Sequence, residues 1–104
     1  MTIITEQEFS ERLRAILAPF RGQVKSVSGP GRSGAVASVY ASHYLGAIWL
    51  PYNSEVKPHL RPHMVIDTAT ESGATLRKAS RRMTADLSLA IFPEPPRVRF
   101  WYEV

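Results

Sequence analysis

The chain has 104 residues, 44% of them hydrophobic, and a formal net charge of +4 from 13 Lys and Arg against 9 Asp and Glu. It has no cysteine, which excludes disulfides, thiolate metal sites and cysteine nucleophiles. No apolar run approaches the roughly 20 residues that span a bilayer, so no membrane segment is expected.

Thr5 and Glu8 form a capping-box pattern, and Phe9, Leu13, Ile16, Leu17 and Phe20 then recur at helical spacing. Residues 6–20 are therefore predicted to be an amphipathic helix, closed by Pro19 and Gly22. Val24 and Val27 begin a short strand, interrupted by Gly29-Pro30-Gly31. A second helix starts at Ser33 or Gly34 and runs to about Leu45. Its alanines permit close packing on a sheet, and Gly46 ends it. Ala47-Ile48-Trp49-Leu50 is a continuous apolar run of the kind seen in buried parallel strands, which places Trp49 in the core. Residues 51–62 read as a loop, with His59 and His63 in loop surroundings and His43 on a helix flank. Strands follow at Met64–Ile66 and Leu87–Phe92, around a helix from Thr75 to Met83. Pro93-Glu94-Pro95-Pro96 is a rigid turn, and Val98–Val104 is a last strand at a sheet edge. Strands alternating with helices predict an α/β fold: one small doubly wound domain, residues 1–104, with a mostly parallel five-stranded sheet.

In such sheets ligands sit beyond the carboxyl ends of the strands. Two segments leave strands there and enter helices directly: Gly29 to Gly34, and Asp67 to Thr75. In the second, the strand Met64-Val65-Ile66 ends in an acid, and Thr68-Ala69-Thr70-Glu71-Ser72-Gly73-Ala74-Thr75 leads into a helix. Amides at such a turn, backed by the helix dipole, bind anions. An acid beside them can hold hydroxyls or a hard cation. Phosphate beside a diol describes a ribose 5-phosphate.

The stretch Val65 to Leu76 resembles the ligand motif of the type I phosphoribosyltransferase family: a hydrophobic strand, acids, then a small-residue loop ending in Gly-x-Thr. Gly31-Arg32-Ser33-Gly34, before an alanine-rich helix ending at Leu45-Gly46, resembles that family's pyrophosphate loop. Leu89-Ala90-Ile91-Phe92, with prolines and an aromatic strand after it, resembles its last two strands. The likeness covers residues 24–104. It implies binding of phosphoribosyl pyrophosphate with Mg2+, and displacement of pyrophosphate from the anomeric carbon by a nitrogen base. Glu71, Ser72, Gly73, Ala74 and Thr75 would cradle the 5-phosphate. Asp67 and Thr68 would face the ribose, and Gly31, Arg32, Ser33 and Gly34 would hold pyrophosphate. Asp67 and Arg32 are the implied catalytic residues, and no residue is assigned as a direct metal ligand.

The chain also departs from that pattern. Thr68 stands where the family has a second acid, Tyr52 and Asn53 follow Pro51 where a basic pair is common, and no hood segment is present. Lys57, His59 and Arg61 are the charges left to serve the short connection after Pro51. The alternative is therefore a catalytically inactive phosphoribosyl- or nucleotide-binding protein. A third reading is a basic nucleic-acid- or protein-binding module, with Arg97 to Tyr102 as its footprint. The cluster Arg77, Lys78, Arg81 and Arg82 reads as a solvated helix face, so nucleic acid is not the favoured partner. The three histidines lack metal-ligand spacing with carboxylates, and Ser72 has no visible triad. The run Phe100-Trp101-Tyr102 is assigned to core packing and a subunit interface, a homo-oligomer being plausible for so small a core. Glu6, Glu8 and Glu11 do not suit a secretory leader, so a cytoplasmic protein is expected.

Overall fold

The computed structural model describes residues 3–69, 73–92 and 98–103. The short strand β1 (Ile3–Ile4) leads into helix α1 (Glu6–Leu17). Thr5 caps it reciprocally: its hydroxyl accepts the Glu8 N–H at 3.2 Å, and the Glu8 carboxylate accepts the Thr5 N–H at 3.4 Å. Phe9, Leu13 and Leu17 form its buried face. The α-helix stops at Leu17, short of the expected residue 20, and a 3-10 turn takes over at Ala18–Phe20. Pro19 has no N–H to continue the α ladder. There follow β2 (Ser26–Ser28), α2 (Gly31–Leu45), β3 (Ile48–Trp49), β4 (His63–Ala69), α3 (Ala74–Met83), β5 (Leu87–Phe92) and β6 (Arg99–Phe100). Gly46 closes α2 in the left-handed conformation, φ 66°, as a C-terminal glycine should.

The α/β class and the parallel pairing are as expected, but the strand count is not. A four-stranded sheet runs β3-β2-β4-β5, and β1 pairs with β6 in a separate two-stranded sheet. All pairs are parallel. The last strand leaves the main sheet because the N-terminal segment offers it a partner and an aromatic cluster holds it there. Phe9, fully buried, meets Phe100 at 5.9 Å, Trp101 at 5.4 Å, Tyr40 at 5.4 Å and Phe92 at 6.4 Å. Arg99 and Phe100 are the paired residues, and Trp101–Glu103 turn into a 3-10 helix instead of extending the strand. The proline turn 93–96 lies outside the described residues.

From β2 the chain crosses through α2 to β3 on one side, and from β4 through α3 to β5 on the other. The winding direction thus reverses between β2 and β4. With crossovers of one hand, such a reversal puts the helices on opposite faces. Two hydrophobic clusters agree with this. Phe9, Leu13, Val27, Ala37, Ala41, Met64 and Ile66 belong to one, and Val65, Ala79 and Met83 to the other. The expectation for Trp49 is overturned: β3 is an edge strand of two residues, Ile48 is 54% exposed and Trp49 39% exposed. Trp49 instead lies over α2, its indole Nε1–H donating to Ser38 Oγ at 2.8 Å.

His63 is likewise no loop residue. It opens β4 and is fully buried. The Ser26 hydroxyl donates to the Leu60 carbonyl at 2.6 Å and so must accept from His63 Nδ1–H, 2.7 Å away. Nε2 is then unprotonated and accepts the Ser28 O–H at 2.8 Å. One neutral imidazole thus spans the length of β2 and ties it to β4. Its backbone N–H donates to Asp86 Oδ2 at 2.8 Å, which with an Arg61–Asp86 ion pair of 2.9 Å fixes the start of β5.

Burial lowers the His63 pKa from 6.5, Arg61 adds to the fall and Asp86 opposes it. The unfolded chain therefore binds more protons than the fold just below pH 6.5. Stability from the neutral ring is complete above about pH 6.5 and declines as pH falls, by at most about 1.4 kcal/mol per pH unit. His63→Gln should be less stable than the parent at pH 7.5, and urea midpoints should show that gap shrinking by pH 5. A gap independent of pH would mean that the ring does not titrate against folding.

Candidate functional site

The crevice at the reversal point lies beyond the carboxyl ends of β2 and β4, the position where parallel sheets of this kind open to a ligand. Its first wall is the β2–α2 junction. Helix α2 begins at Gly31, two or three residues earlier than expected, so Gly31 to Gly34 are its first turn and not a free loop. The first intrahelical bond is Gly34 N–H to Pro30 O at 3.0 Å. The amides of Gly31, Arg32 and Ser33 have no acceptor among the described residues, and the cap residue Pro30 contributes no side-chain bond. Three orphan donors at the positive end of a helix of 15 residues favour an anion. Arg32 is exposed beside them.

The junction is tight. A Cβ on Gly29 would lie 2.0 Å from the Gly34 carbonyl oxygen and 2.5 Å from that of Ile66, and one on Gly34 would lie 2.7 Å from the Gly29 carbonyl carbon. Two glycines therefore let the start of α2 press against β2 and β4. Gly31 has open space around it, but its φ of +65° lies in the left-handed region.

The second wall is the end of β4. Asp67 and Thr68, expected in the loop, are the fifth and sixth of the strand's seven residues and are 7% and 3% exposed. Burial raises the Asp67 carboxyl above its usual range, against a downward pull from the Thr68 N–H and hydroxyl. That N–H donates to Asp67 Oδ1 at 2.8 Å. Gly73 is the cap of α3, at φ +77°, and Ala74 and Thr75 are the exposed first residues of the helix. Glu71 and Ser72 lie outside the described residues.

Beside the first wall stands Tyr102, expected in core packing or a subunit interface. Its hydroxyl donates to Ser33 Oγ at 3.0 Å. Burial raises its pKa, Ser33 and more weakly Thr68 pull it down, and the Glu103 charge and then that of Asp67 add to the rise. The phenol is thus bonded to the α2 wall and lies near the end of β4. The only sequence signal was the aromatic run Phe100-Trp101-Tyr102, and its core assignment holds for Phe100, which is 2% exposed. Arg61 and His59 do not reach the crevice. Arg61 donates to the Thr84 carbonyl at 2.7 Å and pairs with Asp86, just before β5. His59 sits in the 3-10 turn Pro58–Leu60, whose Leu60 carbonyl meets Ser26 at the start of β2. Both belong to the amino end of the sheet.

The fold is similar to that of a solved structure, the Helicobacter pylori xanthine-guanine-hypoxanthine phosphoribosyltransferase, with a TM-score of 0.72 at 15% identity over 99% of this chain and 93% of that one. No family model matches the chain, and no curated protein matches it in sequence. The likeness in fold agrees with the resemblance carried by the Val65–Leu76 and Gly31–Gly34 segments.

The two glycines of the first wall should behave differently. Gly29→Ala forces a backbone collision and should cost about 3 kcal/mol, whereas Gly31→Ala meets only left-handed strain, about 1 kcal/mol. Urea unfolding of both variants checks the order. Equal losses would mean that the close approach at Gly29 relaxes freely.

Proposed function

We propose that this crevice binds a phosphoribosyl ligand, phosphoribosyl pyrophosphate or a nucleoside 5'-phosphate, with its 5-phosphate at the start of α3, its ribose hydroxyls toward Asp67 and, where present, its pyrophosphate on the first turn of α2. The observation that carries this reading is the set of three amides at Gly31, Arg32 and Ser33 without acceptors among the described residues, beside the strand that carries the buried Asp67 at a reversal point of the sheet. Arg32 supplies mobile positive charge. Gly73, Ala74 and Thr75, at the start of α3, would contact the 5-phosphate together with Glu71 and Ser72. Gly34 serves as the packing glycine that brings the turn into place.

In a transfer reaction the bond from the anomeric carbon to pyrophosphate breaks and one to a base nitrogen forms. The pyrophosphate leaves with the bond pair, and the base gives up a proton. The chain's contribution would be positioning and stabilisation of the departing anion. Mg2+ is commonly held by one or two carboxylates plus substrate phosphates. Asp67 is the carboxylate of the described crevice, and no described cluster of three or more His, Cys, Asp or Glu could hold a metal. These residues fit Mg2+ that is held largely by the ligand's own oxygens, where it would neutralise phosphate charge.

A second reading, binding without turnover, is favoured by one observation. The position of the family's second acid is Thr68, buried and turned to Tyr102, so only one described carboxylate faces the developing positive charge on the sugar. Release of pyrophosphate over a panel of nitrogen bases separates the two readings.

Calorimetry with phosphoribosyl pyrophosphate and Mg2+ tests both. Arg32→Ala and Asp67→Asn should each weaken binding about ten-fold, as loss of a charge-assisted contact does. The raised pKa of Asp67 means that the folded state holds its proton more tightly than the unfolded chain. Stability from that group is therefore present below about pH 3.8 and lost as pH rises. At pH 7 the buried charge opposes folding, so Asp67→Asn should melt at the same temperature as the parent or higher. Unchanged affinity with a lower melting temperature would make Asp67 a structural residue. Absence of binding by phosphoribosyl pyrophosphate and every nucleoside 5'-phosphate would end both readings.

A further inference from the structure

We propose that Tyr102 is a strap across the crevice, bonded to the Ser33 hydroxyl that a ligand must claim, so that ligand occupancy and docking of the C-terminal turn exclude one another. This rests on the ligand reading above only for what displaces the strap; the strap itself stands on the contacts.

The base of the strap is well anchored. Phe100 is 2% exposed and packs on Phe9 at 5.9 Å, and its backbone N–H donates to Glu103 Oε1 at 2.9 Å. The Tyr102 ring lies parallel to Phe100, centroids 5.7 Å apart with planes at 4°, and meets Trp101 edge to face at 4.9 Å. Trp101 in turn contacts Phe9 and Tyr40. The tip is held differently. It is fixed by one neutral hydroxyl bond, donation to Ser33 Oγ at 3.0 Å, with the Thr68 side chain and the Glu103 and Asp67 carboxylates around it. Ser33 belongs to α2 and lies 69 residues from Tyr102 in sequence, so the bond ties the C-terminal turn to the first wall.

The two ends differ in strength. Ring stacking in a buried cluster is broad and apolar, whereas a neutral hydroxyl bond is weak once water competes. An anion makes charge-assisted bonds about twice as strong and would take Ser33 from the phenol. A ligand seated on the amides of the α2 turn also meets the phenol where it lies against Ser33. The ring has somewhere to go. A cleft of about 540 Å³ opens beside it, lined by Arg32, Ala35, Val36 and Glu103.

Tyr102→Phe keeps the ring and deletes the catch. In the free protein, hydrogen exchange of the bonded amides at Gly34 and Thr68, and of the Ala69 amide, should quicken several-fold, while α1 and Ala37 to Leu45 stay as protected as before. Unaltered exchange at both walls would overturn the strap, whatever the ligand. In the second arm, calorimetric titration with pyrophosphate and with phosphoribosyl pyrophosphate plus Mg2+ should show affinity raised about five-fold, the equilibrium equivalent of one neutral hydrogen bond. Equal affinity would mean that the ligand does not compete with Tyr102, and weaker binding would make the phenol a ligand contact; either overturns the proposal. Faster exchange with no binding by either protein would sustain the strap and remove the ligand reading.

Discussion

The seam between β2 and β4 is the constraint on which the rest of the molecule depends. It is where the winding of the sheet reverses, and a gap between helix N-termini follows from that reversal alone. Two devices hold it shut along its length. His63 reaches from β4 to both Ser26 and Ser28, a fully satisfied buried network of the kind that fixes register. Beyond Ser28 the side chains vanish, and Gly29 lets backbone meet backbone at Ile66 and Gly34. The first device aligns the strands, and the second sets how closely the start of α2 approaches the strand carrying Asp67. A crevice with defined spacing needs both.

Polar chemistry is distributed unevenly about that seam. At the amino end, Arg61, Asp86, Ser26 and the Leu60 carbonyl satisfy one another, and nothing there asks for a ligand. At the carboxyl end, three helix amides lack protein acceptors among the described residues, an acid is buried against its preference, and a phenol is drawn in from a distant segment. A fold tolerates such unfavourable local choices where function requires them. The contrast between the two ends of one sheet is a stronger pointer to the site than either loop alone.

Much of this was legible in the sequence because it was local. The capping box at Thr5 and Glu8, the terminal glycine Gly46 and the alternation of strand and helix each declare themselves within a few residues, and the acid at the end of a hydrophobic strand did the same for Asp67. What escaped notice was non-local. An apolar run such as Ala47 to Leu50 reads as buried on both faces, yet whether a strand is central or at an edge depends on strand order. His63 sits between Pro62 and Met64 like any solvated loop histidine, and its partners are 37 and 35 residues away. The departure of β6 from the main sheet depends on β1, at the far end of the chain. Tyr102 reaches Ser33 only because the Phe9 cluster bends the last segment back, which no window of a few residues can reveal.

The edge strand has a consequence of its own. Open sheet borders invite other chains to add on, and proteins blunt them by keeping such strands brief and following them with proline. Here β3 offers two residues before Leu50 and Pro51, and the Trp49 indole is folded down onto Ser38. Ile48 stays bare to water, but the backbone beside it is too short to template a growing stack. This border of the sheet can thus carry greasy residues with little risk of clumping into fibrils, while the opposite border is the longer β5.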